Sequence, residues 1–254
     1  MIVRFCEARM DERHLVDVLG HLWKDVAAPG STLAVLSKLE RRLHQPTDRI
    51  LDAMIHIKRF QDGTLAFRKS CAHGVCGSDA MRINGKGCLA CKTLVQDVAK
   101  IEGEIVVIEP LRYFPIQRDL IVDQTVFFEK YRSVKPFLIN DEPVVEKERI
   151  QSREERMAFD DTTSCILCSA CFSACPVLGK NPDFLGPAVI AQSYRFLADS
   201  RDRGFDERLP VLDMPNGIWA CRNHFQCTRA CPRRIKITKR INQTKNMINK
   251  YHEK

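Results

Sequence analysis

The sequence predicts an α+β protein in two parts: a small mixed unit over residues 1–120 and a helical unit over residues 121–254. Three observations point there. Strand-like and helix-like patterns are mixed in the first half, as in "GEIVVIEPL" and "TDRILDAMIHIKRF". The second half carries three separate helical patterns. Ten of the twelve cysteines, all but Cys6 and Cys88, fall in three tight groups, one in the first half and two between helices of the second.

The elements follow in order. Residues 1–47 are the least regular, but "RHLVDVLGHLWKDV" puts Leu15, Val18, Leu19, Leu22, Trp23 and Val26 on one helical face. Plain packing is the expected use of that face. "TDRILDAMIHIKRF" reads as a capped helix, with Ile50, Leu51, Met54, Ile55 and Ile57 at mostly helical spacing. "DGTLAFRKS" reads as a turn and a strand before the first cysteine group, and "GEIVVIEPL" as a strand after it. "DQTVFFEKYRSV" is the first helix of the second half. Residues 141–160 are charged and poorly periodic, as expected of a surface excursion. "GPAVIAQSYRFLADSRDR" is a helix with Pro187 in its first turn, where the missing N–H is harmless. "ITKRINQTKNMINKY" is the last, with Ile237, Ile241, Ile248 and Tyr251 on one face.

At 44% hydrophobic residues, the chain of 254 can fill a core. No apolar run approaches the length of a bilayer span. The start, "MIVRFCEARMDERHLV", is broken by charges and lacks the apolar stretch of a secretory signal. A position on the cytosolic side follows as an expectation, and disulfides are then disfavoured. Clustered cysteines in such a chain read as metal ligands. The net charge of +8 is concentrated: ten of the forty basic residues but one of the thirty-two acidic ones lie in 221–254, so that segment carries +9 and the remainder −1. Such a segment suits anionic headgroups, nucleic acid or an acidic partner. No nucleic-acid motif accompanies it, so nucleic acid is not an expected partner.

The first cysteine group is "CAHGVCGSDAMRINGKGCLAC". Cys71-x4-Cys76 followed by x2 opens like a plant-type [2Fe–2S] loop. Its third position is Asp79 rather than cysteine, and Cys91 is the fourth. A carboxylate oxygen can bind iron in place of a thiolate. Cys88 is a competing third ligand, and Cys71, Cys76, Cys88 and Cys91 together make a competing zinc set. The second group, "CILCSACFSACP", places Cys165, Cys168, Cys171 and Cys175-Pro176 in the C-x2-C-x2-C-x3-C-P spacing of cubane binders. The fourth cysteine of such a run serves the neighbouring cluster when there are two. The third group, "CRNHFQCTRACP", repeats the spacing with Cys221, Cys227 and Cys231, but His224 stands at the second cysteine position. With Cys175 and Cys231 exchanged, Cys165, Cys168, Cys171 and Cys231 form a [4Fe–4S] set. Cys175, Cys221 and Cys227 remain as three thiolates, the natural set for [3Fe–4S], with imidazole of His224 as a possible iron donor. Cys6 and Cys88 are expected to be small buried hydrophobes.

Three clusters in this order resemble the iron–sulfur subunit of the succinate dehydrogenase/fumarate reductase family. The likeness runs over residues 48–254, through "SCAHGVCGSDAMRINGKGCLACKT", "PIQRDLIVDQTVFFEKY", "SCILCSACFSACP", "FLGPAVIAQSYRFLADSRD" and "CTRACPRRI". The resemblance implies an N-terminal plant-ferredoxin-like β-grasp domain and a C-terminal α-helical bacterial-ferredoxin-like domain. It implies an FAD-containing flavoprotein subunit that interconverts succinate and fumarate. It implies an integral membrane anchor, often carrying haem b, where quinone reacts, with this chain held peripherally on the cytoplasmic face. It also favours Asp79 over Cys88. Pro176 and Lys245 match family positions beside the quinone, and Arg222 and His224 complete the quinone-proximal set. The ubiquinone-using branch has two tryptophans where "CPVLGKNP" has Gly179 and Lys180, and often histidine where Arg222 stands, so menaquinone is the expected quinone. Residues 1–47 do not read as the family's opening hairpin.

Two other functions fit the cysteines. One is a soluble fumarate reductase with a non-quinone donor, whose subunits carry a further cysteine-rich domain that these 254 residues lack. The other is a free-standing ferredoxin-like carrier, expected as a monomer with a closed surface.

Overall fold

The computed structural model describes residues 47–101, 104–143 and 146–253, and the strand backbone at 2–4 and 35–36. The helix expected within 13–26, and Cys6, lie outside the described residues.

The first half is a five-stranded sheet with a helix on it. Strands β1 (Ile2–Arg4), β2 (Val35–Leu36), β3 (Ala80–Ile83), β4 (Lys86–Leu89) and β5 (Ile105–Glu109) lie in the order β2-β1-β5-β3-β4. β1 runs parallel to β2 and antiparallel to β5, so the two N-terminal strands do not form a hairpin. β3 and β4 do, in a register that sets Met81 opposite Cys88. Their turn is Asn84-Gly85, both at positive φ, as a two-residue hairpin requires. Asn84 ties the turn to the sheet: its N–H donates to the Val107 carbonyl and its Oδ1 accepts the Val107 N–H.

Helix α1 (Ile50–Phe60) forms where the spacing predicted, and it buries Ile50, Leu51, Ala53, Met54 and Ile57. Its first turn is closed by Asp52, which accepts from the N–H and guanidinium of Arg49. The strand expected in "DGTLAFRKS" is absent. The turn is there, with Asp62 Oδ1 accepting from Thr64, but Ala66 N–H bonds to the Asp119 carboxylate instead of a neighbouring strand. A side chain from a distant loop thus satisfies the backbone group that a ladder would have used. A four-residue helix, α2 (Val95–Val98), and a small β6 (Ile116–Arg118)–β7 (Ile121–Val122) pair complete this half.

The second half is helical: α3 (Thr125–Ser133), α4 (Arg153–Met157), α5 (Asp160–Thr163), α6 (Ala170–Ser173), α7 (Pro176–Lys180), α8 (Pro187–Leu197), α9 (Phe205–Leu212), α10 (Gln226–Ala230) and α11 (Ile237–His252). The charged stretch before α5 is not wholly irregular, because Ser152 and Glu155 make a reciprocal capping box that starts α4. α8 is buried on nearly every side and packs along α11. α11 buries Ile237, Ile241, Thr244 and Ile248, while Tyr251, expected on that face, is exposed and stacks on Phe205.

Two hydrophobic cores result. One lies between α1 and the sheet and draws in Cys168 and Ala170 from the second half. The other is centred on Phe114, Phe127 and Phe172, whose rings meet at 5.0–6.5 Å, and on the α8–α11 seam. Arg208, on α9, is fully buried, bonded to Asp202 at 2.7 Å and to the carbonyls of Val134, Lys135 and Phe137. It fastens the 134–139 segment to the helical half.

Candidate metal centres

The loop 71–79 curls because Ala72, Gly74 and Gly77 all take positive φ. That curl aims backbone N–H groups inward. His73 and Cys76 N–H each donate to Cys71 Sγ at 3.3 Å. These bonds, His73 first, hold the Cys71 thiol down to about 6, as a backbone nest does for an anionic sulfur. Arg49, at the start of α1, donates to the Ala72 carbonyl and fixes the loop to the helix. Cys91 is buried at the far wall. Desolvation pushes its thiol up to about 12, and the hydrogen bond and charge of Asp79 add to this.

Asp79 is 2% exposed. Its Oδ2 accepts the Cys91 N–H at 2.6 Å, and its Oδ1, buried, has no partner. A buried orphan carboxylate oxygen among cysteines is a strong sign of an intended cation, since burial without a partner is costly. Cys88 is differently placed. It stands opposite Met81, packs against the first core, and has its thiol raised by burial with the Thr93 hydroxyl as partner. Asp79, not Cys88, therefore has the free donor atom.

The second and third groups share one backbone. Leu167 and Ser169 in the second, and Asn223 and Phe225 in the third, take positive φ at the same offsets from Cys165 and Cys221. Four non-glycine residues in the left-handed region represent stored strain of about 1–2 kcal/mol each. The repeat puts His224 at the place of Cys168. After each loop a short helix, α6 or α10, carries Cys171 or Cys227, and then Cys175-Pro176 or Cys231-Pro232 follows.

In space the groups interleave. One cavity is lined by Cys165, Cys168 and Cys171 together with Cys231, against an apolar wall of Ala188, Ala191, Ile235 and Ile237. A second is lined by Cys221 and Cys227 together with Cys175, and by Pro176, Arg222, His224 and Thr238. Burial pushes the Cys168 thiol up to about 12, the Cys171 thiol well above its ordinary value, and those of Cys165, Cys175 and Cys227 upward. Such thiols give up their protons to a metal rather than to water. Among the described residues, no three His, Cys, Asp or Glu side chains converge on one ion position. The sulfurs surround a volume, and soft donors around a volume suit a polynuclear iron–sulfur group. Lys245 reaches the second cavity from outside: its Nζ donates to the Cys221 carbonyl at 3.0 Å and lies over the Trp219 ring.

Sequence reading missed Arg49, Trp219, Thr228 and Thr238. No short-range pattern marks them. Thr238 lies seven residues past Cys231, in the first turn of a helix legible only by its isoleucines.

Residues 34–129 match the model of a 2Fe-2S iron–sulfur cluster binding domain, and residues 161–235 match that of a 4Fe-4S dicluster domain. The succinate dehydrogenase iron–sulfur subunit of Coxiella burnetii is 48% identical over 178 residues, 70% of this chain and 74% of that one. The fumarate reductase iron–sulfur subunit of Mycobacterium tuberculosis is 47% identical over 188 residues, 73% of this chain and 75% of that one. The succinate dehydrogenase iron–sulfur subunit of Paracoccus denitrificans is 40% identical over 200 residues, 78% of this chain and 76% of that one. A chain of the Mycobacterium smegmatis Sdh1 complex in the apo form superposes with a TM-score of 0.74 at 27% identity, covering 82% of this chain and 87% of that one. With the sheet-borne loop, the two interleaved cavities and these relatives together, the chain belongs to the family of succinate dehydrogenase and fumarate reductase iron–sulfur subunits.

Proposed function

We propose that this chain is the electron-transfer subunit of a membrane-bound succinate:quinone or quinol:fumarate oxidoreductase. It works between an FAD-containing flavoprotein and quinone at an integral membrane anchor. The observation that supports this best is the exchange of Cys175 and Cys231 between two adjacent cavities, with the Cys71–Asp79 loop packed against the first of them. Three metal sites in contact make a wire, which a carrier with one cluster does not need.

In this reading Cys71, Cys76, Asp79 and Cys91 hold [2Fe–2S], Cys165, Cys168, Cys171 and Cys231 hold [4Fe–4S], and Cys175, Cys221 and Cys227 hold [3Fe–4S]. Bound clusters supply one-electron carriers. The protein's own residues position them. Asp79 Oδ1 takes the iron position that lacks a thiolate. The apolar wall of Ala188, Ala191, Ile235 and Ile237 keeps water from the middle site. Pro176, Arg222, His224 and Lys245 gather at the last, on the side offered to quinone. Gly179 and Lys180, where the ubiquinone-using branch has tryptophans, support a menaquinone-type site; a Cβ on Gly179 would lie 3.0 Å from the exposed Tyr113 hydroxyl, so a larger residue there would have to displace that ring. Arg222, Arg229, Arg233, Arg234, Lys236 and Lys239 are exposed, as a surface facing anionic headgroups at the cytoplasmic face requires. Among the described residues no helix is long and apolar enough to cross a membrane.

The test is affinity isolation of the tagged chain from membranes, followed by EPR of the oxidised sample. A flavoprotein and a membrane protein co-isolate, and a signal near one spin per chain marks [3Fe–4S]. Isolation of the chain alone would sink the complex in favour of a free carrier.

A further inference from the structure

Cys227 has a side-chain hydroxyl on its sulfur. Its Sγ lies 3.5 Å from Thr238 Oγ1. Thr238 Oγ1 lies 3.0 Å from Thr228 Oγ1, and the Thr238 N–H donates to Thr228 Oγ1 at 3.0 Å. Thr238 is 1% exposed and stands in the wall of the second cavity. The chemistry of the sulfur sets the direction of these bonds. An iron-bound thiolate can only accept, so Thr238 gives its hydroxyl hydrogen to Sγ. Its oxygen then accepts from the Thr228 hydroxyl, whose oxygen already accepts the Thr238 N–H. Every donor has an acceptor, and each bond polarises the next.

We propose that the Thr228–Thr238 hydroxyl relay raises the reduction potential of the cluster held by Cys175, Cys221 and Cys227, with Thr238 as the positioning residue. The inference rests on reading that cavity as a three-cysteine cluster site. Reduction adds one negative charge to the cluster. A hydrogen bond to its sulfur stabilises the more negative state more, which raises the potential. Thr238 lies in the first turn of the sixteen-residue α11, whose N-terminal partial charge acts with the same sign. The first cavity has no counterpart. Among the described residues, Cys165 and Cys168 are met by the backbone N–H of Leu167 and Ala170, and no side-chain hydroxyl acts on Cys165, Cys168 or Cys171. The relay thus separates the two sites in potential, with the higher at the Cys221–Cys227 end.

The experiment is an EPR-monitored redox titration of the intact membrane complex carrying wild-type chain, Thr238→Val, Thr238→Ser or Thr228→Val. Thr238→Val lowers the midpoint by an amount on the order of a tenfold change in the oxidised-to-reduced ratio, about 59 mV for a one-electron couple. Thr238→Ser keeps the wild-type value. Thr228→Val moves the midpoint the same way by less, and it reports on the relay if Thr238→Val fails to assemble. After exchange into deuterated buffer, ENDOR detects an exchangeable hydrogen coupled to the wild-type cluster, absent in Thr238→Val. An unchanged midpoint in Thr238→Val with its signal intact, or an equal shift in Thr238→Ser, overturns the relay. A wild-type sample with no [3Fe–4S] signal overturns the three-cysteine reading itself, and the relay with it, before any variant is compared.

Discussion

A Cβ built on Gly77 would lie 2.8 Å from the Cβ of Cys168. The same atom would lie 2.9 Å from the Ile166 carbonyl oxygen. The loop that carries Cys71, Cys76 and Asp79 therefore touches the loop that carries Cys165 and Cys168, backbone against backbone. Two features demand glycine there, the contact and a φ of +70°. Gly77→Ala is expected to lower stability by roughly 2–3 kcal/mol, combining left-handed strain with overpacking. It also forces the loops apart, so electron arrival at the last cluster slows. Thermal unfolding and stopped-flow reduction of the complex by succinate check both effects; unchanged kinetics would show that the contact does not set the relay distance.

Asp79 and Cys88 are separated by their surroundings. Asp79→Ala removes the unpartnered oxygen and is expected to abolish the [2Fe–2S] signal, while Asp79→Cys retains it with altered shape. Cys88→Ala leaves the signal intact and lowers stability by about 1 kcal/mol or less, the loss of a small, partly buried group. EPR of the reduced complex distinguishes them, and loss of signal in Cys88→Ala would reverse the assignment.

His224 occupies the backbone place of Cys168 in the repeated loop. His224→Cys is expected to complete a four-cysteine set at the second cavity. Iron content should rise by one per chain, and the oxidised EPR signal should disappear. His224→Ala should leave both unchanged. A fall in iron on His224→Ala would instead make the imidazole a ligand.

Arg208 and Asp202 are a buried pair, 0% and 2% exposed at their side chains. Arg208→Ala leaves the buried Asp202 carboxylate with only the Ile139 and Gly204 N–H groups, and takes the guanidinium from the Val134, Lys135 and Phe137 carbonyls. The expected loss is about 3–5 kcal/mol, read as a fall in unfolding temperature of roughly 10 °C. The clusters lie elsewhere, so the EPR line shapes of surviving complex should not change.

Asp199 supplies a pH signature. Burial opposes its ionisation, but bonds from the Arg201 guanidinium and backbone, and from Gln151, outweigh it and hold the carboxyl below its ordinary value. A depressed folded pKa gives stability that is present above the unfolded value and lost as pH falls through the folded one. Asp199→Asn should therefore be less stable than wild type at neutral pH, with the difference shrinking below about pH 4. A difference constant over that range would assign the effect to packing.

The sequence by itself determined what is local. Cysteine offsets of three to five residues bring sulfurs together within one loop, and the spacing alone marked Cys71, Cys76, Cys165, Cys168 and Cys171 as ligand candidates. The isoleucine periods of α1 and α11 predicted both helices to within three residues. The tertiary structure decided what depends on distant partners. The strand expected within "DGTLAFRKS" did not form, and Ala66 N–H bonds to the Asp119 carboxylate fifty-three residues on. The free oxygen of Asp79, the burial of Cys88 against the core, the Gly77–Cys168 contact and the Thr238 hydroxyl on Cys227 all arise where separate elements pack. Periodicity reports which face of an element is buried, not what it is buried against, and at this protein's metal sites the facing element supplies the chemistry.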